Sequence, residues 1–310
     1  MPLEVKVDAI RYLAEDTHAY EFVSRPGIAL PPASPGDHID VHLPNGLVRQ
    51  YSLLELRPDR YVVAVKRAPA SRGGSRFLHE DLRVGTCLLV GDPRNHFSFD
   101  PDATHSVFVA GGIGITPIMT MVDHAAANGL SWELHYATRS NHTAFTNALA
   151  RHGDRVRFWG SRRTAGQPLD IAALIGSSDP AAHFYCCGPE SMIAAFRQAA
   201  QAIPEERVRF ERFAAMPAEG SHAGFTVVLA RSERAVLVPP GTTILDALLT
   251  EGLDLPFSCQ QGICGQCETR VLAGAPDHHD QILTEDERAS GETMMICCSG
   301  SKGGRLVLDL

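Results

Sequence analysis

The 310-residue chain contains no apolar run approaching the roughly 20 residues that a membrane-spanning helix needs. Its opening residues, Met1-Pro2-Leu3-Glu4-Val5-Lys6, lack the apolar core of a secretory signal. There is no internal repeat and no low-complexity tract, which argues against a repeat architecture. Neither a membrane nor a nucleic acid is expected as a partner. What is present is ordinary for a soluble globular protein, with 44% hydrophobic and 21% charged residues. The length suffices for two or three cores, since domains usually run about 100–200 residues. Eight cysteines in a secreted chain would suggest disulfides. Here they cluster at ligand spacing, which points to a reducing cytoplasm.

Cys259, Cys264 and Cys267 read Cys-x4-Cys-x2-Cys, the plant-type ferredoxin spacing for a [2Fe–2S] cluster whose fourth thiolate is distant in sequence. Gly262 and Gly265 allow a tight backbone around a small inorganic core. The competing assignment is zinc. Structural zinc, however, draws its thiolates from paired knuckles, not from a three-cysteine loop plus a remote one. Two remote candidates are adjacent, Cys297 and Cys298. Met294-Met295-Ile296 reads as a strand leading into them, so alternation lets only one face the cluster.

Three segments separate along the chain. Residues 1–102 alternate short β-branched runs, such as Asp37–Leu43 and Arg60–Val65, with Gly/Pro turns, which suggests an antiparallel barrel. Residues 103–213 alternate strands such as Val107–Ala110 with helical patterns, the signature of a parallel α/β sheet. Residues 214–223 read as a linker. Residues 224–310 open with a hairpin, Phe225–Ala230 and Ala235–Val238, followed by a helix capped by Thr243 with Asp246 at the capping-box position. This last segment holds 12 acids and 6 bases, most of the chain's net charge of −8. Glu268, Asp277, Asp280, Glu285, Asp286 and Glu287 flank or follow the cysteine loop. They form either a solvated face or a docking surface for a basic partner.

Gly111-Gly112-Ile113-Gly114-Ile115-Thr116-Pro117 follows the first strand of the α/β segment. Such glycines let backbone approach a pyrophosphate at a helix N-terminus, where Thr116 suits the cap and Pro117 the first helical position. Arg49-Gln50-Tyr51-Ser52 on a barrel strand supplies a cation, an aromatic face and donors, the contacts a flavin needs. Tyr185-Cys186-Cys187-Gly188-Pro189 closes a late strand, on the side of such sheets where ligands bind. Each of the three motifs alone is also compatible with plain structure.

Together these residues resemble the phthalate dioxygenase reductase-type family, a branch of the ferredoxin–NADP reductase superfamily that includes vanillate O-demethylase reductases. The likeness runs through Arg49–Ser52, Ala64-Val65-Lys66-Arg67, Arg72–Ser75, Gly111–Pro117, Tyr185–Pro189, Phe210-Glu211-Arg212-Phe213, the cysteine loop and Leu306–Leu310. It implies three bodies: an FMN-binding antiparallel β-barrel, an NAD(P)H-binding α/β domain and a C-terminal ferredoxin domain of β-grasp type. It implies that Arg49, Gln50, Tyr51 and Ser52 contact FMN and that Val65, Lys66, Gly73, Gly74 and Ser75 hold its ring edge and phosphate. Thr116 then reaches the ring, and Phe213 lies against it. Gly111, Gly112, Gly114, Cys187, Gly188 and Pro189 receive the nicotinamide nucleotide, with Thr116 and Cys187 nearest the chemistry. The resemblance selects Cys297 as the fourth cluster ligand and leaves Cys298 as a small core residue.

The implied activity is that of an NAD(P)H-dependent oxidoreductase, the reductase component of a Rieske-type oxygenase or demethylase. A nicotinamide yields two electrons and a [2Fe–2S] cluster takes one, so FMN sits between them. Plant-type clusters lie near about −400 mV and Rieske centres at about −150 to +300 mV, so delivery runs downhill. NADH is favoured over NADPH. Where similar sequences tend to place acids after the second nucleotide strand, this chain carries Phe158-Trp159-Gly160-Ser161-Arg162-Arg163-Thr164, and such arginines accommodate a 2′-phosphate. A monomer is expected. The alternatives are a stand-alone ferredoxin-like carrier, which has no use for the first 213 residues, and a reductase for another acceptor such as a cytochrome P450.

Overall fold

The computed structural model describes residues 2–69, 71, 73–138, 144–160, 166–213, 224–260, 262, 264–280 and 282–310. The chain forms two compact units, Met1–Arg212 and Phe213–Leu310. Residues 214–223, read as a linker, lie outside the described residues.

The first unit begins with strands β1 (Leu3–Ala14), β2 (Thr17–Ser24), β3 (His38–His42), β4 (Val48–Leu56) and β5 (Tyr61–Lys66), helix α1 (Gly74–Glu80) and strand β6 (Cys87–Val90). The strands close an antiparallel barrel in the order β1-β2-β5-β4-β3-β6, with β6 pairing back onto β1. Two-residue alternation fills it: Val5 and Val7, Tyr20 and Phe22, and Ile39 and Val41 enter one apolar core, which Leu78 of α1 joins.

The chain continues through β7 (Ser106–Gly111), α2 (Ile115–Ala127), β8 (Trp132–Ala137), α3 (Thr146–Ala150), β9 (Val156–Trp159), α4 (Ile171–Ser177), β10 (His183–Cys187), α5 (Glu190–Ala199) and β11 (Val208–Glu211). The five strands form a parallel sheet in the order β11-β10-β7-β8-β9. Such sheets are buried on both faces. Val107, Val109, Phe184 and Cys186 pack with Ile193 and Phe196 of α5. Phe108, Ala110, Tyr185 and Cys187 turn the other way, to Ile115, Ile118 and Met121 of α2.

That second cluster also takes in Ala19, Leu54, Val62 and Ala64 from the outer wall of the barrel. Barrel and sheet therefore share a core and make one compact unit, with α2 between them. A polar anchor reinforces the join: the Thr120 hydroxyl accepts the Gly36 N–H at 3.0 Å and donates to the Pro117 carbonyl at 2.8 Å. Gly36 has φ +87° and no room for a side chain, since an added Cβ would lie 2.9 Å from Met121 Cε.

The second unit comprises β12 (Phe225–Leu229), β13 (Arg234–Val238), α6 (Ile244–Thr250), β14 (Glu268–Ala273), β15 (Pro276–Asp277), α7 (Glu285–Ser290), β16 (Thr293–Met295), β17 (Gly300–Ser301) and β18 (Arg305–Leu308). Its main sheet runs β13-β12-β18-β14-β16, with β12 parallel to β18. Ile244, Leu245 and Leu248 of α6 share a core with Val227, Leu229, Leu306 and Leu308 of this sheet, a β-grasp arrangement. The hairpin and the capped helix expected from the sequence both form, and Thr243 Oγ1 accepts the Asp246 N–H at 3.0 Å. An antiparallel barrel, a parallel α/β sheet and a C-terminal ferredoxin-type body are thus the architecture of the chain.

Candidate functional site

Three of the four cysteines lie in the loop between α6 and β14, and the sheet delivers the fourth. β14 and β16 pair antiparallel with Glu268 opposite Met295. The ladder extends one rung further, where the Ile296 N–H donates to the Cys267 carbonyl at 3.4 Å. Cys297 is the next residue. Cys259, Cys264, Cys267 and Cys297 form no disulfide and are only 3%, 6%, 3% and 3% exposed.

The sulfurs meet one another. A hydrogen bond with Cys259, followed by burial, pushes the Cys264 thiol up, while a hydrogen bond with Cys297 pulls the Cys267 thiol down. The four sulfurs therefore form one contiguous group, in which Cys259 meets both Cys264 and Cys297, and Cys297 also meets Cys267. Among the described residues no three His, Cys, Asp or Glu side chains surround a single ion position. Four thiolates, three from one short loop and one from a residue distant in sequence, are the donor set of a plant-type [2Fe–2S] cluster. The Gly262 N–H donates to Cys297 Sγ at 3.3 Å, the kind of backbone bond that tunes such sulfurs. Gly262 has φ +66°, and an added Cβ would strike Cys298 Sγ and lie 2.9 Å from Asp280 Cα. Gln261 and Ile263 lie outside the described residues.

Strand alternation does not separate Cys297 from Cys298. β16 stops at Met295, and the two cysteines occupy a turn in which the N–H groups of Cys298 and Ser299 donate to the Met295 carbonyl at 3.2 and 3.0 Å. The Cys298 thiol sits 3.7 Å from that carbonyl, beside Gly262. The acids around the loop also divide. Asp280 is only 4% exposed, and its Oδ2 accepts the N–H groups of Ile282 and Leu283 at 3.2 and 2.9 Å, which makes it structural. Glu268, Glu285, Asp286 and Glu287 are exposed, and Glu287 completes a capping box with Thr284.

In the first unit, β7 and β10 run side by side with Ala110 opposite Cys187, so their C-terminal loops meet. The contact is backbone on backbone. An added Cβ on Gly114 would lie 2.5 Å from the Cys187 carbonyl carbon, and one on Gly111 would lie 2.6 Å from Pro189 Cδ. Gly188 is equally confined, since its own added Cβ would be 3.1 Å from Gly111 Cα. Gly112 differs, with φ +54° and open space where a side chain would be.

Thr116 does not cap α2. A 3-10 turn over Gly112–Gly114 runs directly into the helix, so helical geometry begins within the glycine motif and the free N–H groups belong to the glycines. Thr116 is 2% exposed, and its hydroxyl donates to the Ile113 carbonyl at 3.0 Å. That bond replaces the one Pro117, lacking an N–H, cannot give. Phe158–Gly160 ends β9, the third nucleotide strand in chain order, not the second, and Ser161–Thr164 lie outside the described residues.

Cys187 is fully buried, and burial, then Glu211, then Cys186, push its thiol up. Glu211 stands opposite it on β11. The Glu211 Oε2 is buried without a hydrogen-bond partner, and burial pushes this carboxyl up to about 8. In the sequence Glu211 stands out only as part of the Phe210–Phe213 run, because nothing in a single sequence marks a lone strand acid as buried. Phe213 opens the second unit and is 40% exposed.

On β4, Arg49, Gln50, Tyr51 and Ser52 stand opposite Val41, Asp40, Ile39 and His38 of β3. The Arg49 side chain lies across Gly74, where an added Cβ would be 2.6 Å from Arg49 Cγ. The arginine thus reaches the Gly73–Ser75 turn, which begins with Gly73 at φ +94°. Ser75 Oγ accepts the Ala68 N–H at 3.2 Å and donates to Ser71 Oγ at 3.0 Å, while Arg72 lies outside the described residues. Burial pushes the Tyr51 phenol up. Gln50 Nε2 is buried with no acceptor, an orphaned donor that suits a ring bearing oxygen and nitrogen acceptors. Val65 is buried and Lys66 exposed at the end of β5.

The cluster geometry is tested by single substitutions. Cys297→Ser is expected to abolish the cluster's visible absorbance while bound flavin remains, and Cys298→Ser to spare it. Spectra of the purified variants check this, and the reverse pattern would transfer the ligand role to Cys298. A second expectation concerns Glu211, whose folded pKa of about 8 exceeds its ordinary 4.5. The folded chain holds a proton that the unfolded chain releases, so this contribution is complete below pH 4.5 and is lost as pH rises through 8. Glu211→Gln should match the wild type near about pH 5 and exceed it by about 1–3 kcal/mol above about pH 8, read by urea unfolding at each pH.

The model for the 2Fe-2S iron-sulfur cluster binding domain matches residues 227–301. Over 100% of its length the chain is 49% identical to phenoxybenzoate dioxygenase subunit beta of Ectopseudomonas oleovorans, covering 98% of that protein. A type IV self-sufficient cytochrome P450 monooxygenase contains a region 40% identical, with a TM-score of 0.83; the whole chain aligns to 41% of that longer protein. Phthalate dioxygenase reductase, solved as a modular structure for electron transfer from pyridine nucleotides to [2Fe–2S], is 36% identical with a TM-score of 0.77, over 100% of this chain and 98% of that one. With its barrel, its parallel sheet and its cysteine-bearing ferredoxin body in the same order over the full length, the chain belongs to the phthalate dioxygenase reductase family.

Proposed function

We propose that the protein is the reductase component of an oxygenase system, an oxidoreductase that draws electrons from NADH and delivers them singly to a terminal Rieske-type oxygenase. The observation that carries this reading is the convergence of four buried cysteines in a chain whose other unit presents both the Arg49–Ser52 strand and the Gly111–Gly114 turn. The full-length likeness to a dioxygenase subunit and to phthalate dioxygenase reductase supports it.

FMN bound in the first unit supplies the exchange between two-electron and one-electron transfer. Arg49 and the Gly73–Ser75 turn hold the phosphate, and Lys66 holds the ring edge beside Val65. Tyr51 offers a flat face, Gln50 and Ser52 offer hydrogen-bonding groups, and Thr116 completes the enclosure. Gly111, Gly112 and Gly114 with Cys187, Gly188 and Pro189 receive the nicotinamide nucleotide. Burial there keeps Cys187 a neutral thiol and Glu211 protonated near neutral pH, so the site adds no full negative charge beside a hydride donor. Cys259, Cys264, Cys267 and Cys297 hold the cluster. The protein works as a cytoplasmic monomer. Among the described residues no helix is long and apolar enough to cross a membrane.

One observation favours a second acceptor. The region matching this chain also occurs joined to a P450 within a single polypeptide, so a haem monooxygenase is the alternative terminal partner.

Heat release followed by chromatography should yield FMN, and the purified protein should reduce cytochrome c with NADH faster than with NADPH. FAD as the released flavin, or no cofactor-dependent reduction, would overturn the reading. If the exposed acids Glu268, Glu285, Asp286 and Glu287 dock the oxygenase, stopped-flow transfer to it should slow as salt rises. Exposed charges are screened beyond about 8–10 Å at 0.1–0.15 M. Flavin reduction by NADH, confined to one chain, should change little. A flat salt profile of the transfer step would leave those acids a solvated face.

A further inference from the structure

Beside the flavin strand stands a buried polar side chain that none of the roles above uses. His38 begins β3 directly opposite Ser52. On its other side its N–H and carbonyl both bond Arg94, at 3.0 Å each, and the rung next to the His38–Ser52 pair is Leu53 N–H to the Asp37 carbonyl at 2.8 Å. His38 and Ser52 are therefore a non-hydrogen-bonded antiparallel pair, the closer kind, with Cα atoms about 4.5 Å apart and both side chains on one face.

That face is the outer wall of the barrel, because Ile39 and Val41 fill its interior. It is also the wall that meets α2. Leu54, two residues beyond Ser52, belongs to the core shared with α2, and Gly36, two residues before His38, donates to Thr120 of α2. The pair thus lies on the side of the barrel where the glycine turn begins.

His38 is only 5% exposed, and neither ring nitrogen has a hydrogen-bond partner. Its ring neighbour is His96, 5.1 Å away between centroids and tilted by 56°. Burial, then the Arg94 and His96 charges, outweigh Asp40 and hold the imidazole down to about 4. It is neutral at working pH, with one donor and one acceptor to offer. A buried polar group of this kind is destabilising until a partner completes its bonding. Gln50, two residues before Ser52 and opposite Asp40 on the same wall, carries the second orphan at its Nε2. Two unpaired groups flanking one serine mark a place where a polar ligand completes the bonding.

We propose that His38 is a further flavin-contacting residue, a neutral imidazole that hydrogen-bonds the polar edge of the flavin ring alongside Ser52. This rests on the flavin site assigned above. Being uncharged, the imidazole orients the ring and adjusts its electronics without favouring either redox state through a full charge.

The test uses the full chain with its cluster intact. His38→Phe keeps a ring and removes both hydrogen-bonding atoms, His38→Gln restores a donor and an acceptor, and His96→Gln controls for the neighbouring ring. FMN affinity is read by fluorescence titration of the flavin-stripped protein, and the flavin absorption band and midpoint potential are read after reconstitution. His38→Phe should weaken FMN binding about tenfold or more, as loss of a bond worth about 1.5 kcal/mol implies, and shift the band. His38→Gln should recover most of the affinity and His96→Gln should match the wild type. Unchanged far-UV circular dichroism and an unchanged urea-unfolding midpoint certify the fold of each variant.

A His38→Phe protein with wild-type affinity, band and potential overturns the proposal. If that variant does not fold, imidazole ¹⁵N shifts of the wild-type protein decide: the His38 signal, assigned by its absence in His38→Gln, must move as FMN is added. FMN binding with that signal unmoved overturns the role of His38 alone, whereas a wild-type chain that binds no flavin overturns the site.

Discussion

Eight consecutive residues of α2, from Ile115 to Val122, are buried, because the parallel sheet packs on one side of the helix and the barrel wall on the other. Along these residues the helix has no solvent face to slide along, and its circumference is matched on both sides. Both halves of the first unit take their position from it. The glycine turn that precedes it is held against the loop after β10, and the Thr120–Gly36 bond ties it to the segment leading into β3. The Arg49–Ser52 strand and the loops after β7 and β10 are therefore positioned by one shared element, which is how stretches distant in sequence are held in register.

The cysteine loop was legible because its constraint is local: three ligands and two glycines at set spacing admit few chemistries. The barrel and the parallel sheet were legible from periodicity. Their shared core was not, although a signal existed. Tyr61–Val65 is an unbroken apolar run, and in the structure Val63 and Val65 line the barrel while Val62 and Ala64 face α2. Thr116 was misplaced because the glycine motif itself takes up helical geometry, so the cap moved upstream. Alternation was expected to let only one of Cys297 and Cys298 face the cluster, but the strand stops at Met295. Glu211 and His38 escaped notice because burial is a tertiary property, and an isolated acid or histidine in a strand carries no periodic signature.

Around the cluster the protein spends little regular structure. The loop is held from outside, by the β14–β16 ladder that supplies Cys297 and by Asp280, whose carboxylate gathers two backbone N–H groups while its Cα closes against Gly262. Rigidity of this kind keeps the thiols from spreading when a cluster's charge changes, and the exposed acids beyond it are free to serve encounter with another molecule.

Gly114 meets the backbone of Cys187 and Gly188 with no side chain between them, although the two loops are far apart along the chain. For anyone building chimeras of related reductases, this contact divides the permissible crossovers from the damaging ones. A junction between residues 115 and 186 unites two loops of different parentage, and any non-glycine brought to position 114 drives its Cβ into the opposing peptide. A junction within the barrel or after residue 212 leaves the two loops with their original partner, so recombined libraries should be richest in active members there.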